Sequence, residues 1–151
     1  MTDVVDRPTR SRMMANIHAE GSRPERVIAE LLGKMGVTFT TQDKTLPGKP
    51  DFVLSDHHAV IHVHGCFWHQ HGCRYSPMPS SNTGFWKTKL EANRARDEAT
   101  ALALIHARWR VLTVWECALR GKGRWSEDDI VAILAGWLAG GDVGDEICGR
   151  A

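Results

Sequence analysis

Between residues 62 and 73 the chain reads His-Val-His-Gly-Cys-Phe-Trp-His-Gln-His-Gly-Cys, directly after the apolar run Ala59-Val-Ile61. A segment so rich in imidazole and thiol cannot order itself by burying apolar side chains, so it demands another source of cohesion. A structural zinc ion takes four thiolate or imidazole ligands in a tetrahedron, and Cys66, His71 and Cys73 can supply three of them from one loop. Cys117 follows an apolar strand at Val111–Trp115 and can supply the fourth, so that the ion would staple the loop to a distant strand. The plainer alternative is a set of buried thiols beside surface histidines. In a reducing cytosol such a cluster is better explained by metal than by disulfides. Cys148, in the tail, is left outside this set.

Around that loop the periodicities describe a mixed α/β chain. Ser22 followed by Glu25 forms a capping box, and Val27, Ile28, Leu31, Leu32 and Met35 recur at helical spacing, which predicts a helix over 23–35. Residues 37–42 alternate as a strand, the Leu46-Pro-Gly-Lys-Pro50 stretch breaks it, and 51–54 and 59–64 read as two further short strands. A helical segment over 86–107, a strand over 110–115 and a last helix from the Ser126 cap to Trp137 complete an order αβββαβα. A helix crossing between strands implies a mixed sheet flanked by helices. The Gly-rich stretch 140–151 is expected to be a loosely ordered tail.

With 151 residues and 42% hydrophobic content the chain suits one domain over 1–151. No apolar run reaches the length of a membrane span, and the start lacks a signal-peptide layout, so a cytoplasmic protein is expected. The net charge of +1 excludes a globally basic nucleic-acid binder. Any DNA surface must be local, and Arg7, Arg10, Arg12, Arg23 and Arg26, with Lys87, Lys89, Arg94 and Arg96, are its candidates.

Assigning Cys66, His71, Cys73 and Cys117 to zinc leaves His64 and His69 as acid–base candidates. Pro50-Asp51 at the head of a strand, with a carboxylate at Glu25 on the preceding helix, is the pattern by which many restriction-endonuclease-like nucleases hold magnesium near a phosphate. Each has a blander reading: Asp51 as a solvated turn residue, Glu25 as the third residue of its capping box.

The stretches Leu46-Pro-Gly-Lys-Pro-Asp-Phe-Val53, His64-Gly-Cys-Phe-Trp-His69, Phe85-Trp86, Trp109-Arg-Val-Leu and Val114-Trp-Glu-Cys-Ala-Leu-Arg-Gly121 resemble the very-short-patch-repair (Vsr-type) endonuclease family, over about Arg7 to Gly121. The resemblance implies a restriction-endonuclease-like mixed β-sheet core flanked by helices, one structural zinc, a need for magnesium, and nicking of one strand 5′ of the thymine in a T:G mismatch. It makes Asp51 the magnesium-binding aspartate, aided by the backbone carbonyl of Val63. His69 becomes the imidazole that activates water, with Glu25 and His64 in support, and a hydrogen bond to Glu25 would orient the His69 ring. Cys66, His71, Cys73 and Cys117 match the family's zinc ligands.

On the DNA side, the resemblance makes Phe67, Trp68 and Trp86 a wedge entering the base stack from the major groove. Met14 and Ile17, in a DNA-contacting N-terminal segment over 1–20, approach from the minor groove, and Lys89 and Asn93 read the mismatch. Trp109, Trp115 and Trp137 are expected in the core. The usual acidic and lysine positions of such nucleases are missing, since the strand reads Ile61-His-Val-His64. The implied partners are double-stranded DNA carrying a T:G mismatch and, functionally, a cytosine-5 methyltransferase, with a monomer as the acting unit. Two other readings stand beside this one: a related nuclease cutting undamaged or modified duplex at a specific sequence, and a non-catalytic zinc-stabilised DNA-binding module.

Overall fold

The computed structural model describes residues 23–69, 71 and 77–150. Its elements are α1 (Arg23–Lys34), β1 (Thr40–Thr41), β2 (Phe52–Leu54), β3 (Ala59–His64), α2 (Thr83–His106), β4 (Arg110–Trp115), α3 (Glu127–Gly140) and β5 (Gly144–Ile147). The strands form one sheet in the order β1-β2-β3-β4-β5. The first three are antiparallel neighbours, while β3 to β4 and β4 to β5 are parallel pairs crossed by α2 and α3. The mixed sheet expected from sequence is therefore present, with one strand more than expected.

Strand alternation divides the side chains between two helix layers. Phe52, Leu54, Ile61, Leu112, Val114 and Ile147 face α1 and α3, where they bury Ile28, Leu31, Leu32, Ile130, Leu134 and Trp137. Val53, Val60 and Val111 face the other way and pack on Leu104 of α2. That second apolar cluster is small because the same face of β3 continues into His62 and His64. The chemistry of the molecule therefore lies between the sheet and α2.

Ser126 caps α3, its side chain accepting from the Asp129 N–H at 3.1 Å. Strand β1 is much shorter than the 37–42 expected, because Gln42 turns into the left-handed region at φ 53°. The tail expected to be loose over 140–151 is instead largely built into the fold. Ile147 pairs with Val114 and is buried at 3% exposure. The alternation was hidden because its other strand residues, Gly144, Asp145 and Glu146, are polar or lack a side chain. The Ser22 cap and the N-terminal segment with Met14 and Ile17 lie outside the described residues.

A tight approach fixes the loop that carries Asp51. Gly48 has φ +71°, and a Cβ there would stand 2.1 Å from Thr100 Cγ2 on α2. Only glycine lets the turn lie flat against the helix, which brings the head of β2 under the middle of α2.

Candidate active site and metal centre

Asp51 leaves the start of β2 on the α2 side. Its Oδ2 accepts from the Val63 N–H at 2.7 Å, and its Oδ1 accepts from Gln42 Nε2 at 3.1 Å. The same Gln42 amide donates to Glu25 Oε2 at 3.2 Å, so one neutral side chain ties two carboxylates together. Burial pushes the Asp51 carboxyl up to about 6; the Val63 N–H opposes the rise and the Glu25 charge adds to it. In an extended strand the N–H and C=O of one residue address the same edge, so the Val63 carbonyl leaves β3 on the side of Asp51. Oxygen donors held together at this cost in proton affinity suit a hard divalent cation.

Sequence reasoning missed Gln42, and the signal for it is conformational. Gln42 at φ 53° and Lys49 at φ 49° both adopt left-handed backbone without being glycine, and they flank the Asp51 carboxylate. Gln42→Gly is expected to leave thermal stability within about 1 kcal/mol, since glycine relieves that backbone. The same change should weaken divalent-cation binding at the carboxylates about tenfold or more, because they lose the group that orients them. A magnesium titration beside a thermal melt checks both parts.

Opposite the carboxylates, His64 and His69 stack face to face at 3.8 Å and 5°. Nδ1 of His69 pairs with Oδ2 of Asp97 on α2. Asp97, rather than the expected Glu25, is thus the carboxylate that orients His69, and Glu25 is engaged with Gln42 and the Asp51 site instead. Burial drives His64 down to about 3, helped by the neighbouring His69 and His62, so it stays neutral across the physiological range. His62 is likewise pushed down to about 4 by burial. Its Nε2 has no hydrogen-bond partner among the described residues.

The signal for Asp97 was also in the chain. Leu90, Arg94, Asp97, Ala101 and Leu104 follow a four-three spacing that places them along one side of α2. Leu90 and Leu104 are buried at the two ends of that stripe, and Arg94, Asp97 and Ala101 line the cleft between them. A carboxylate at a core-facing place in such a stripe requires a partner, and His69 is that partner.

A second cluster adjoins the cleft and shares His71 with its lining. Cys66 Sγ and Cys117 Sγ approach Nδ1 of His71 at 3.6 and 3.4 Å. A tetrahedral zinc site with ordinary bond lengths has sulfur-to-nitrogen edges of about 3.6 Å, so these three donors already stand at ligand spacing. Cys73, the fourth residue of the expected set, lies outside the described residues. Trp115 stacks on His71 at 4.1 Å and 9° and meets His64 edge-on at 5.4 Å. It is therefore a wall between the thiol cluster and the imidazole pair, not the core residue expected. Trp137 at 4% exposure does lie in the core.

His64, His69 and Asp97 also bring ligand atoms within 4.8 Å of one another. Their chemistry differs from that of the thiol cluster. Two imidazoles stacked in parallel planes point their in-plane lone pairs side by side, and these do not converge on one ion. The first trio has the groups to pass a proton, and the Cys66, His71 and Cys117 trio has a donor set that can hold a soft metal ion.

Next in sequence to the cleft-lining His69, Phe67 and Trp68 form an aromatic cluster with Trp86, with centroid distances of 5.1, 5.7 and 5.9 Å. Trp68 is 49% exposed and Phe85, beside Trp86, is 62% exposed. Asn93 donates to the Trp68 carbonyl at 3.2 Å, which places it as a support of this cluster, while Lys89 is exposed on α2. Large aromatic rings left this exposed suit a contact surface.

The sequence is similar to those of several known proteins. Residues 2–75 match the family described as DNA mismatch endonuclease Vsr. The DNA mismatch endonuclease Vsr of Escherichia coli is 41% identical over 140 residues, covering 93% of this chain and 90% of that protein. The type II nicking enzyme V.XorIIP of Xanthomonas oryzae pv. oryzae is 42% identical over 123 residues, covering 82% of this chain and 90% of its own length. The type II nicking enzyme V.NmeAIP of Neisseria meningitidis is 38% identical over 122 residues, covering 81% and 87%.

Proposed function

Because the chain belongs to the Vsr family of DNA mismatch endonucleases, we propose that it is a magnesium-dependent hydrolase that nicks one strand of duplex DNA 5′ of the thymine in a T:G mismatch. Such pairs arise when 5-methylcytosine is deaminated, and the nick would begin very short patch repair in the bacterial cytoplasm, in the sequence context set by a cytosine-5 methyltransferase. The observation that carries this reading is a single cleft of about 710 Å³ onto which Glu25, Asp51, His64, His69 and Asp97 all open. A mixed sheet with a carboxylate at the head of β2 also agrees with a restriction-endonuclease-like core.

The residues divide the work. Asp51 and the Val63 carbonyl hold magnesium, with Glu25 beside them and Gln42 orienting both carboxylates. When bound, the ion supplies charge neutralisation at the phosphoryl oxygens. Asp97 holds Nδ1 of His69, so Nε2 is the nitrogen that faces the cleft and takes a proton from the attacking water. The water oxygen joins phosphorus, the bond from phosphorus to the leaving sugar oxygen breaks, and that oxygen gains a proton. Neutral His64 supports the His69 ring by stacking. Cys66, His71, Cys117 and Cys73 would hold zinc, and an ion with four protein ligands would serve to fix the loop that bears His69 and the aromatic cluster rather than to activate water.

Phe67, Trp68 and Trp86 wedge into the stack at the mispair, where unstacking costs least. Arg94 and Arg96, on the cleft wall, and Arg23 and Arg26, at the start of α1, are placed for phosphates, so binding should weaken as salt rises.

One pH dependence follows from Asp51. Its folded carboxyl is raised to about 6, and magnesium binds only the ionised form. Half-saturating magnesium is therefore expected to be constant above about pH 6 and to rise about tenfold per pH unit below it. Single-turnover nicking against magnesium at several pH values checks this; an apparent affinity unchanged from pH 7 to 5 would contradict it.

The substrate itself is tested with end-labelled duplexes carrying T:G or the matched C:G within randomised flanks. A nick beside the thymine in T:G duplexes alone is the expected result. Equal cutting of C:G would point to a nuclease for an undamaged site, and binding without cutting would point to a DNA-binding module.

A further inference from the structure

The thiol cluster has an outer layer made by the C-terminal strand and the residues after it. Both sulfurs of the inner set, Cys66 and Cys117, approach His71 through Nδ1. The opposite ring nitrogen, Nε2, meets Cys148 Sγ at 3.2 Å. One face of the ring is covered by Trp115. A neutral imidazole that gives the Nδ1 lone pair to a metal must carry its one N–H on Nε2, and the acceptor placed there is the Cys148 sulfur.

We propose that Cys148 is a positioning residue of the zinc centre: it accepts the Nε2–H of His71, fixes the tautomer in which Nδ1 is the ligand, and with Gly149 closes the centre from outside. This rests on the zinc reading given above. Cys148 lies on the far side of the ring from the sulfurs of Cys66 and Cys117, so it is an outer partner of the ligand and not a ligand.

Several independent contacts hold the segment in place. The Gly149 N–H donates to Cys117 Sγ at 3.2 Å, fastening the segment to a sulfur of the cluster. A side chain at 149 is impossible there, since a Cβ would lie 2.4 Å from the Cys117 carbonyl oxygen. The Cys148 carbonyl accepts from Trp125 Nε1 at 2.7 Å, and the Arg150 N–H donates to the Gly123 carbonyl at 2.7 Å. Strand β5 delivers the segment through the pairing of Ile147 with Val114. The chain end is thus fastened on both sides of the cluster, and its order is coupled to the ion.

The test compares the full-length protein with Cys148→Ala and Cys148→Ser, reading zinc retention against a chromophoric chelator and the thiolate charge-transfer band of the cobalt-substituted forms. At saturation all three should show the same charge-transfer intensity, because the ligands are unchanged. Cys148→Ala should release zinc to the chelator about 10–100-fold more readily, and Cys148→Ser should recover part of that loss, since a hydroxyl can accept the same N–H. Equal zinc retention by wild type and Cys148→Ala would overturn the proposal. So would a cobalt band in Cys148→Ser weaker by one thiolate's share, which would make Cys148 a ligand. A wild-type protein that takes up neither zinc nor cobalt would overturn the zinc reading itself, and this proposal with it.

Discussion

Asp51→Ala is expected to lower the nicking rate by about 10³-fold or more, because the magnesium proposed for this carboxylate would contribute several kcal/mol at roughly 1.4 kcal/mol per tenfold. Zinc content should be unchanged, since the thiol cluster lies behind Trp115 and shares no ligand with Asp51. Metal analysis beside single-turnover nicking separates the two centres; loss of zinc together with activity would mean that they are one. Asp51→Asn sharpens the point through stability. The folded carboxyl sits at about 6 against an ordinary 3.8, so the folded protein binds more protons in that window and loses stability as pH rises through it. Above pH 6 the penalty is complete, and Asn, which never ionises, escapes it. Without magnesium, Asp51→Asn should therefore be more stable than wild type by about 3 kcal/mol at pH 8, with little of that difference left at pH 4. Denaturant unfolding at the two pH values reads this directly.

The second large effect is expected at Asp97. Its carboxylate can only accept, so it fixes the His69 proton on Nδ1 and leaves Nε2 open for water. Asp97→Asn presents an amide in the same space, and an amide N–H facing Nδ1 would put the ring proton on Nε2, where the base is needed. The nicking rate should fall about 10²–10⁴-fold. DNA binding, zinc content and the magnesium dependence should be retained, because Asp97 belongs to none of those groups. A variant with weakened magnesium affinity and an unchanged maximal rate would show instead that Asp97 serves the metal.

Much of this was written into the sequence in a readable form. The apolar runs gave β2, β3 and β4, and the Ser126 cap gave α3. Cys66, His71 and Cys117 meet as their residue types and spacing implied. Asp51 and His69 share a cleft, as the family resemblance implied. What escaped shares a physical cause, in that each missed residue acts through a partner distant in sequence. The α2 stripe places Asp97 on the core-facing side, but its partner His69 is visible only when α2 is laid across β3. Gln42 becomes informative only when Glu25 and Asp51 flank it. Strand β5 has one buried side chain and so carries no periodicity, although it closes the sheet and brings Cys148 to His71. Trp115 was assigned to the core from its apolar strand, but its end of β4 faces the cleft rather than α1 and α3.

The central claim is that a single acid–base and carboxylate cleft cuts one strand at a mispair. Its most direct test is a supercoiled plasmid carrying one T:G mismatch, incubated with the protein and magnesium beside the matched plasmid. The account predicts conversion of the mismatched plasmid alone to the open circular form, with the break mapping 5′ of the thymine and no linear product. Linear product, or equal nicking of the matched plasmid, would contradict it.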